Sequence, residues 1–385
     1  MTPYERTLRE LYALSARGIE PGLGRVREAL ARLGDPQRAF RSVHVAGTNG
    51  KGSVTAMVAA SIEGAGRFTS PHLHRLTERV TIGGAPIPQD ALVDAWADVK
   101  AALEGGPRLT FFETMTAIAF ELFRRRGVSI AVIEVGLGGR LDATNVIDPS
   151  GCAITRVGVD HTSWLGPELG GIAAEKAGIL KPGRWAVVGP QEPDAWAAIE
   201  ARAAEIGAPI ERVEREPGDA PAHVRENRAI ARRVIERLRA DGLDADPAAV
   251  ETTRWPGRLE TIDDVLLDAA HNVDGCRALA RVLAAEGAPR TLIFGAMKDK
   301  DWGPMLDALA PHVASIVYTR VALSRAEEPA RLAERHPGRV APTPERALAM
   351  AREEGRPVVV AGSLFIMAEL RALLLGLETD PPIAL

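Results

Sequence analysis

Aliphatic residues in this chain gather in short unbroken runs instead of alternating with polar ones. SVHVAG at 42–47 and VSIAVIEV at 128–135 are the clearest, and such runs mark parallel strands buried on both faces. A Gly-rich turn follows the first, then an apolar, Ala-rich segment at 54–62 that suits a helix. Helical patterns recur at 111–126, near 171–177 and at 193–205, and further strands are predicted at 152–157 and 185–188. Strand and helix taking turns in this way predicts a mainly parallel sheet with helices on both faces. Acidic, proline-containing stretches interrupt the pattern at 211–221 and 241–256, and the second is taken as a boundary between domains 1–253 and 254–385. Beyond it the alternation restarts with VLLDAA at 265–270, a helix near 276–285, TLIFGA at 291–296, a helix from Trp302, ASIVYT at 314–319, a helix from Glu327, and PVVVAGS at 357–363 leading into a helix at 364–375. A second, smaller α/β domain is expected.

Composition narrows the class. With 385 residues, 46% of them hydrophobic and 25% charged, the chain can bury two cores. A net charge of −4 gives no field to draw in nucleic acid or an anionic membrane. Cys152 and Cys276 have no ligand-like or pairing spacing, which argues against a disulfide framework or a cysteine zinc site. The start is charged and amphipathic, and no run of about 18 apolar residues follows. A soluble cytoplasmic protein is expected. Lysine is scarce, at six of 47 basic positions.

Chemistry concentrates in the loops after the strands. Gly47-Thr48-Asn49-Gly50-Lys51-Gly52-Ser53 lies between a buried strand and a helix, where glycine N–H groups, a helix N-terminus and a lysine together suit a phosphate. Its spacing is shorter than GxxxxGK[ST], and a Gly-rich turn with a solvated lysine is the bland alternative. A second cluster, FTSPHL at 68–73 with TERV at 77–80, reads by itself as a turn into a strand. In it His72 and His74 are surface or packing residues. The third, EVGLGGRLDATN at 134–145, puts Glu134 at the carboxyl edge of the sheet, where α/β proteins bind ligands and a cation would offset its burial. His161 alone would be a satisfied core histidine, and Lys176 alone a helix-face charge.

In sequence order, HVAGTNGKGS, TSPHL, TERV, EVGLGGRLDATN, DHTSWLG, EKAGI, PGR, DAAHN and GAMKDKD resemble the folylpolyglutamate and dihydrofolate synthases of the Mur-ligase superfamily, over nearly the whole chain. The resemblance implies a P-loop-containing, mainly parallel α/β domain of the Mur-ligase central type that binds ATP and pteroate or folate. It also implies a smaller Rossmann-like C-terminal glutamate-ligase domain. It further implies ATP-dependent ligation of L-glutamate to dihydropteroate, to reduced folate, or to both, through an acyl phosphate, by a monomer. Gly47, Thr48, Asn49, Gly50, Lys51, Gly52 and Ser53 would hold ATP, with Asn227, Arg258, Asp268 and His271. Ser70, Glu134, His161 and a carbamylated Lys176 would hold two Mg²⁺. Lys51, Lys176, His161 and Arg258 would be the catalytic set. Gly22, Leu23, Leu109, Thr110, Phe111, Phe112, Leu141, Asp142 and Ala143 would meet the pterin-bearing substrate.

Two departures from the family pattern stand out. Only Gly66 and Arg67 precede FTSPHL, where relatives carry a strand, and the segment 183–227 is short, so part of the peripheral sheet is expected to be missing. A peptidoglycan-precursor Mur ligase would need a domain ahead of the phosphate loop, and 46 residues are too few. A monofunctional folylpolyglutamate synthase and a non-catalytic P-loop nucleotide-binding protein are the other readings. Four of the six lysines, at 51, 176, 298 and 300, fall within the motifs. An arginine could replace neither a compact ammonium in a tight phosphate loop nor a carbamylated amine, which leaves Lys100 and Lys181 as bystanders.

Overall fold

A computed structural model describes residues 1–381. The chain divides into two units, the first comprising Met1–His72 and Leu76–Thr253, the second Leu73–Arg75 and the chain from Arg254 onward.

The first unit is built on eight strands: β1 (Arg41–Ala46), β2 (Gly66–Phe68), β3 (Val80–Ile82), β4 (Ala85–Pro86), β5 (Ile130–Glu134), β6 (Gly151–Ile154), β7 (Trp185–Val188) and β8 (Ile210–Arg212). They lie in the order β4-β3-β2-β5-β1-β6-β7-β8. All neighbours from β2 to β8 are parallel, while β3 and β4 pair antiparallel at one edge. Period-two side chains explain why the runs are apolar throughout. Val43, Val45, Ile130, Val132, Ala153 and Val187 face one cluster with residues of the helices Lys51–Ala60 and Ala222–Ala240. Ala46, Cys152, Ile154, Ala186 and Val188 face another, with residues of the helices Leu169–Ala177 and Pro193–Ile206.

The second unit repeats the scheme with β9 (Glu260–Ile262), β10 (Val265–Leu267), β11 (Thr291–Phe294), β12 (Ser315–Tyr318), β13 (Arg339–Val340) and β14 (Val358–Ala361), ordered β13-β12-β11-β14-β10-β9. Only β9 is antiparallel. Val265, Leu267, Ile293, Val317, Val358 and Val360 fill one face, and Leu266, Leu292, Phe294, Ile316, Tyr318 and Val359 the other.

The structure corrects two sequence expectations. A strand does precede Ser70: β2 has three residues, yet it pairs with β5 on one side and β3 on the other. The shortened peripheral segment still supplies β8 inside the stretch read as an acidic linker, with Glu211 held by Arg233 and Arg237 of the helix Ala222–Ala240.

Candidate active site

In the first unit the phosphate loop leaves β1 at Gly47 and enters the helix at Lys51. Gly47 has φ of 144° and Gly50 of 93°, conformations that disfavour a side chain. Space makes the same demand. A Cβ on Gly47 would lie 1.9 Å from Thr155 Oγ1, and one on Gly50 2.2 Å from Asn227 Oδ1. The amides of Thr48 and Asn49 donate to the Arg156 carbonyl at 2.9 and 3.3 Å. Thr48 Oγ1 donates to Gly158 O at 2.9 Å and accepts from Gly158 N at 3.0 Å. Lys51 folds back over the loop, donating from Nζ to Gly47 O at 3.2 Å and Thr48 O at 3.3 Å. The expected nucleotide residue Asn227 is therefore packed against the loop from a distant helix.

Lys176 sits near the end of the helix Leu169–Ala177 and is 5% exposed. Burial, then the charge of Lys51, push its amine down to about 7, against the opposing pull of Asp160 and Asp142. Near neutral pH this amine is substantially uncharged and nucleophilic. His161, by contrast, is a left-handed residue (φ of 54°) capping the short helix Thr162–Leu165. Its side chain is exposed, with Nε2 3.9 Å from Asp160 Oδ2. Asp160, an acidic neighbour not assigned a role from sequence, is thus linked to both.

At the end of β5, Glu134 is 4% exposed and accepts from the Ser70 amide at 3.2 Å. A hydroxyl residue and a buried carboxylate in one corner are a donor pair that fits a hard divalent cation. Among the described residues no three His, Cys, Asp or Glu side chains form a ready-made metal cluster. A divalent ion would need the Ser70 hydroxyl, a modified Lys176 or oxygens of the substrate to complete its shell.

The segments expected to meet the pterin are drawn together by a residue the sequence reading missed. Thr110 caps the helix Phe111–Arg125 in a reciprocal box with Glu113. Glu113, 4% exposed, also pairs with Arg25 at 2.9 Å, on the helix Gly24–Arg32 that Gly22 and Leu23 lead into. The Thr-x-x-Glu spacing was the available signal. Glu113→Ala is expected to cost about 2 kcal/mol, read as a lower urea midpoint at unchanged slope, and to weaken acceptor binding. The Phe112 ring packs on Phe68 at 5.9 Å and against Gly136, where a Cβ would come within 2.5 Å of it. Phe111 lies under the Arg79 guanidinium at 5.1 Å. Leu109 and Ala143 are buried and Leu141 is exposed. Asp142 is turned inward, accepting from the amides of Leu137 at 2.9 Å and Thr144 at 3.0 Å. Lys181 donates from Nζ to Asn145 Oδ1 at 2.8 Å, and Lys100 makes a surface pair with Glu10.

In the second unit, Arg258 lies exposed in a turn held from behind. Gly257 N donates to Glu260 Oε2 at 2.7 Å, and Asp268 accepts from Leu259 N at 3.0 Å and Ala270 N at 2.9 Å. His271 Nδ1 donates to Ala269 O at 2.8 Å. Asn272 caps the helix Val273–Glu286, and Lys298 donates to Ser324 O at 2.8 Å.

A glycine-rich loop crowned by its own lysine at the end of a parallel strand, a buried amine of lowered pKa whose charge is coupled to that lysine, and a separate α/β unit define an ATP-dependent ligase of the Mur type. Residues 257–364 match the Mur ligase glutamate ligase domain. The chain is 34% identical to the folylpolyglutamate synthase of Lacticaseibacillus casei, across 91% of this chain and 94% of that one. It is 35% identical to a probable bifunctional folylpolyglutamate synthase/dihydropteroate synthase of Haloferax volcanii, covering 96% of this chain but spanning half the length of that relative. The solved structure of E. coli FolC in complex with DHPP and ADP superimposes with a TM-score of 0.88 at 30% identity, over 97% of this chain and 98% of that one. The chain belongs to the folylpolyglutamate synthase/dihydrofolate synthase family.

Proposed function

We propose that this chain joins L-glutamate to dihydropteroate and to reduced folates at the expense of ATP. The observation that carries the reading is the pairing of the Lys51-crowned loop with the buried amine of Lys176, in a chain related over most of its length to ligases of this kind.

Lys51 and the amides of residues 50–53 hold the nucleotide phosphates and offset their charge as the γ-phosphoryl moves to the acceptor carboxylate. Asn227 sets the loop from the side, and Arg258, Asp268 and His271, within the second unit, are further candidate nucleotide ligands. Ser70 and Glu134 would hold one Mg²⁺, and His161 with a carbamylated Lys176 a second; when bound, such ions would neutralise phosphate charge. The uncharged Lys176 amine attacks CO₂: the N–C bond forms as one C=O π pair moves onto oxygen and an N–H proton is released, so an uncharged side chain becomes an anionic one. The acceptor's acyl phosphate is then attacked by the glutamate amine, giving amide and phosphate. Gly22 and Leu23, residues 109–112 and residues 141–143 orient the acceptor so that the two reacting groups meet.

The protein acts as a monomer in the cytoplasm, without nucleic acid or membrane. Its net charge of −4 gives no field to draw in nucleic acid or an anionic membrane. Purified protein given ATP, Mg²⁺ and labelled glutamate, with dihydropteroate and tetrahydrofolate in separate reactions, should form one ADP per amide with each. Product with one acceptor alone makes the enzyme monofunctional, and none with either defeats the proposal.

A further inference from the structure

β1 carries a histidine where its neighbours are aliphatic. His44 is 0% exposed, between Val43 and Val45, and a polar ring in that place costs stability unless it is hydrogen-bonded. Its Nε2 lies 2.8 Å from Thr144 Oγ1. Thr144 Oγ1 in turn makes a short hydrogen bond to Asp142 Oδ1. Burial raises the pKa of Asp142, but the amides of Leu137 and Thr144 donate to its two oxygens and hold it as an acceptor, so the hydroxyl gives its one proton to Asp142 and accepts from His44.

The tautomer follows from this chain of donors. Nε2 carries the proton and Nδ1 carries none. Nδ1 has no hydrogen-bond partner among the described residues, and a bare buried acceptor there is consistent with that assignment. Burial, with the charge of Lys181 acting in the same direction, holds the ring neutral by lowering its pKa to about 3. The donor at Nε2 is therefore permanent across the working range of pH.

The far end of the relay reaches both arms of the loop 136–145. Asp142 Oδ2 accepts from Leu137 N at 2.9 Å and Oδ1 from Thr144 N at 3.0 Å. Two residues beyond His44, the same strand ends and becomes the phosphate loop. We propose that His44 is a positioning residue for the reaction: through Thr144 and Asp142 it fixes the acceptor-binding loop to the strand that carries the ATP-binding loop, so that the acceptor carboxylate is set against the phosphate. This rests on the reading of residues 141–143 as acceptor contacts.

Three variants and one spectrum test it. His44→Leu removes the donor at similar size, and Thr144→Val cuts the same relay while leaving the ring in place. His44→Gln offers an amide N–H at a comparable reach. Both breaking variants should raise KM for dihydropteroate about tenfold, leave KM for ATP within about twofold, and His44→Gln should recover most of the loss. Equal rises in both KM values, or an unchanged acceptor KM in a folded Thr144→Val protein, would overturn the proposal. In protein labelled with ¹⁵N-histidine, the resonances missing from the His44→Gln spectrum should show a neutral Nε2–H ring; an Nδ1–H or doubly protonated ring refutes the relay whatever the activity. Wild-type protein that turns over ATP with glutamate and a different acid, but neither binds nor uses a pteroyl acceptor, would instead defeat the functional reading while the ring spectrum could still hold.

Discussion

Lys176→Ala should lower turnover by about three orders of magnitude, and a small carboxylate such as acetate or formate should restore part of it. The side chain is 5% exposed, and its amine is held near 7 by burial first and by Lys51 second. An ordinary lysine near 10.5 would be almost wholly protonated at neutral pH and inert toward CO₂. With its amine lowered to about 7, Lys176 offers far more free electron pair near neutral pH than an ordinary lysine, and more still above it. The acidic limb of the wild-type activity profile should therefore move up when CO₂ is stripped from the buffer and return with bicarbonate. Stability runs the other way. The folded state binds this proton more weakly than the unfolded chain does, so the buried ammonium destabilises the fold most below pH 7, and the penalty fades as pH rises from about 7 toward the ordinary lysine value. In acid, Lys176→Met should unfold at a higher temperature than wild type although it is inactive. An alanine variant fully active without additive would refute the carbamate role, and one inactive but unmoved by carboxylates would make Lys176 a packing residue.

The phosphate loop was legible because its requirements are local. Gly47 and Gly50 adopt positive φ and touch neighbouring atoms, and a strand before them and a helix after them lie within a few residues. What escaped was either too short or too far apart. β4 and β13 have two residues, and β2, β8 and β9 have three, fewer than a period-two pattern needs to declare itself. The helix Ala222–Ala240 was passed over because its surface is dense with Arg and Glu. Yet Ile230, Val234 and Leu238 recur at fours along its buried side. No spacing rule joins Asn227 to Gly50, Asp160 to Lys176, or Lys181 to Asn145, since each pair meets only once the sheet has ordered its strands. His44 shows the limit most plainly. The run SVHVAG announces a buried strand, and nothing in it says which loop the one polar ring will hold.

Lys51→Met should abolish detectable ligation, a loss of about a thousandfold or more, and Lys51→Arg should rescue little of it. The ammonium reaches back to Gly47 O and Thr48 O within a loop whose glycines leave no room for a Cβ, so a planar fork has neither the space nor the single-point geometry. The two variants should separate in a second measurement that does not depend on turnover. Lys51 is the largest charged contribution lowering the Lys176 amine. Removing that charge lets Lys176 hold its proton more tightly and leaves less free amine for CO₂, whereas arginine preserves the charge. With ¹³CO₂ at pH 7.5, the carbamate signal should therefore be weaker in Lys51→Met than in wild type and largely kept in Lys51→Arg, although both are catalytically disabled. If Lys51→Arg turned over like wild type, the compact ammonium would not be what the loop requires. Equal carbamate in all three proteins would show that Lys51 acts on the nucleotide alone.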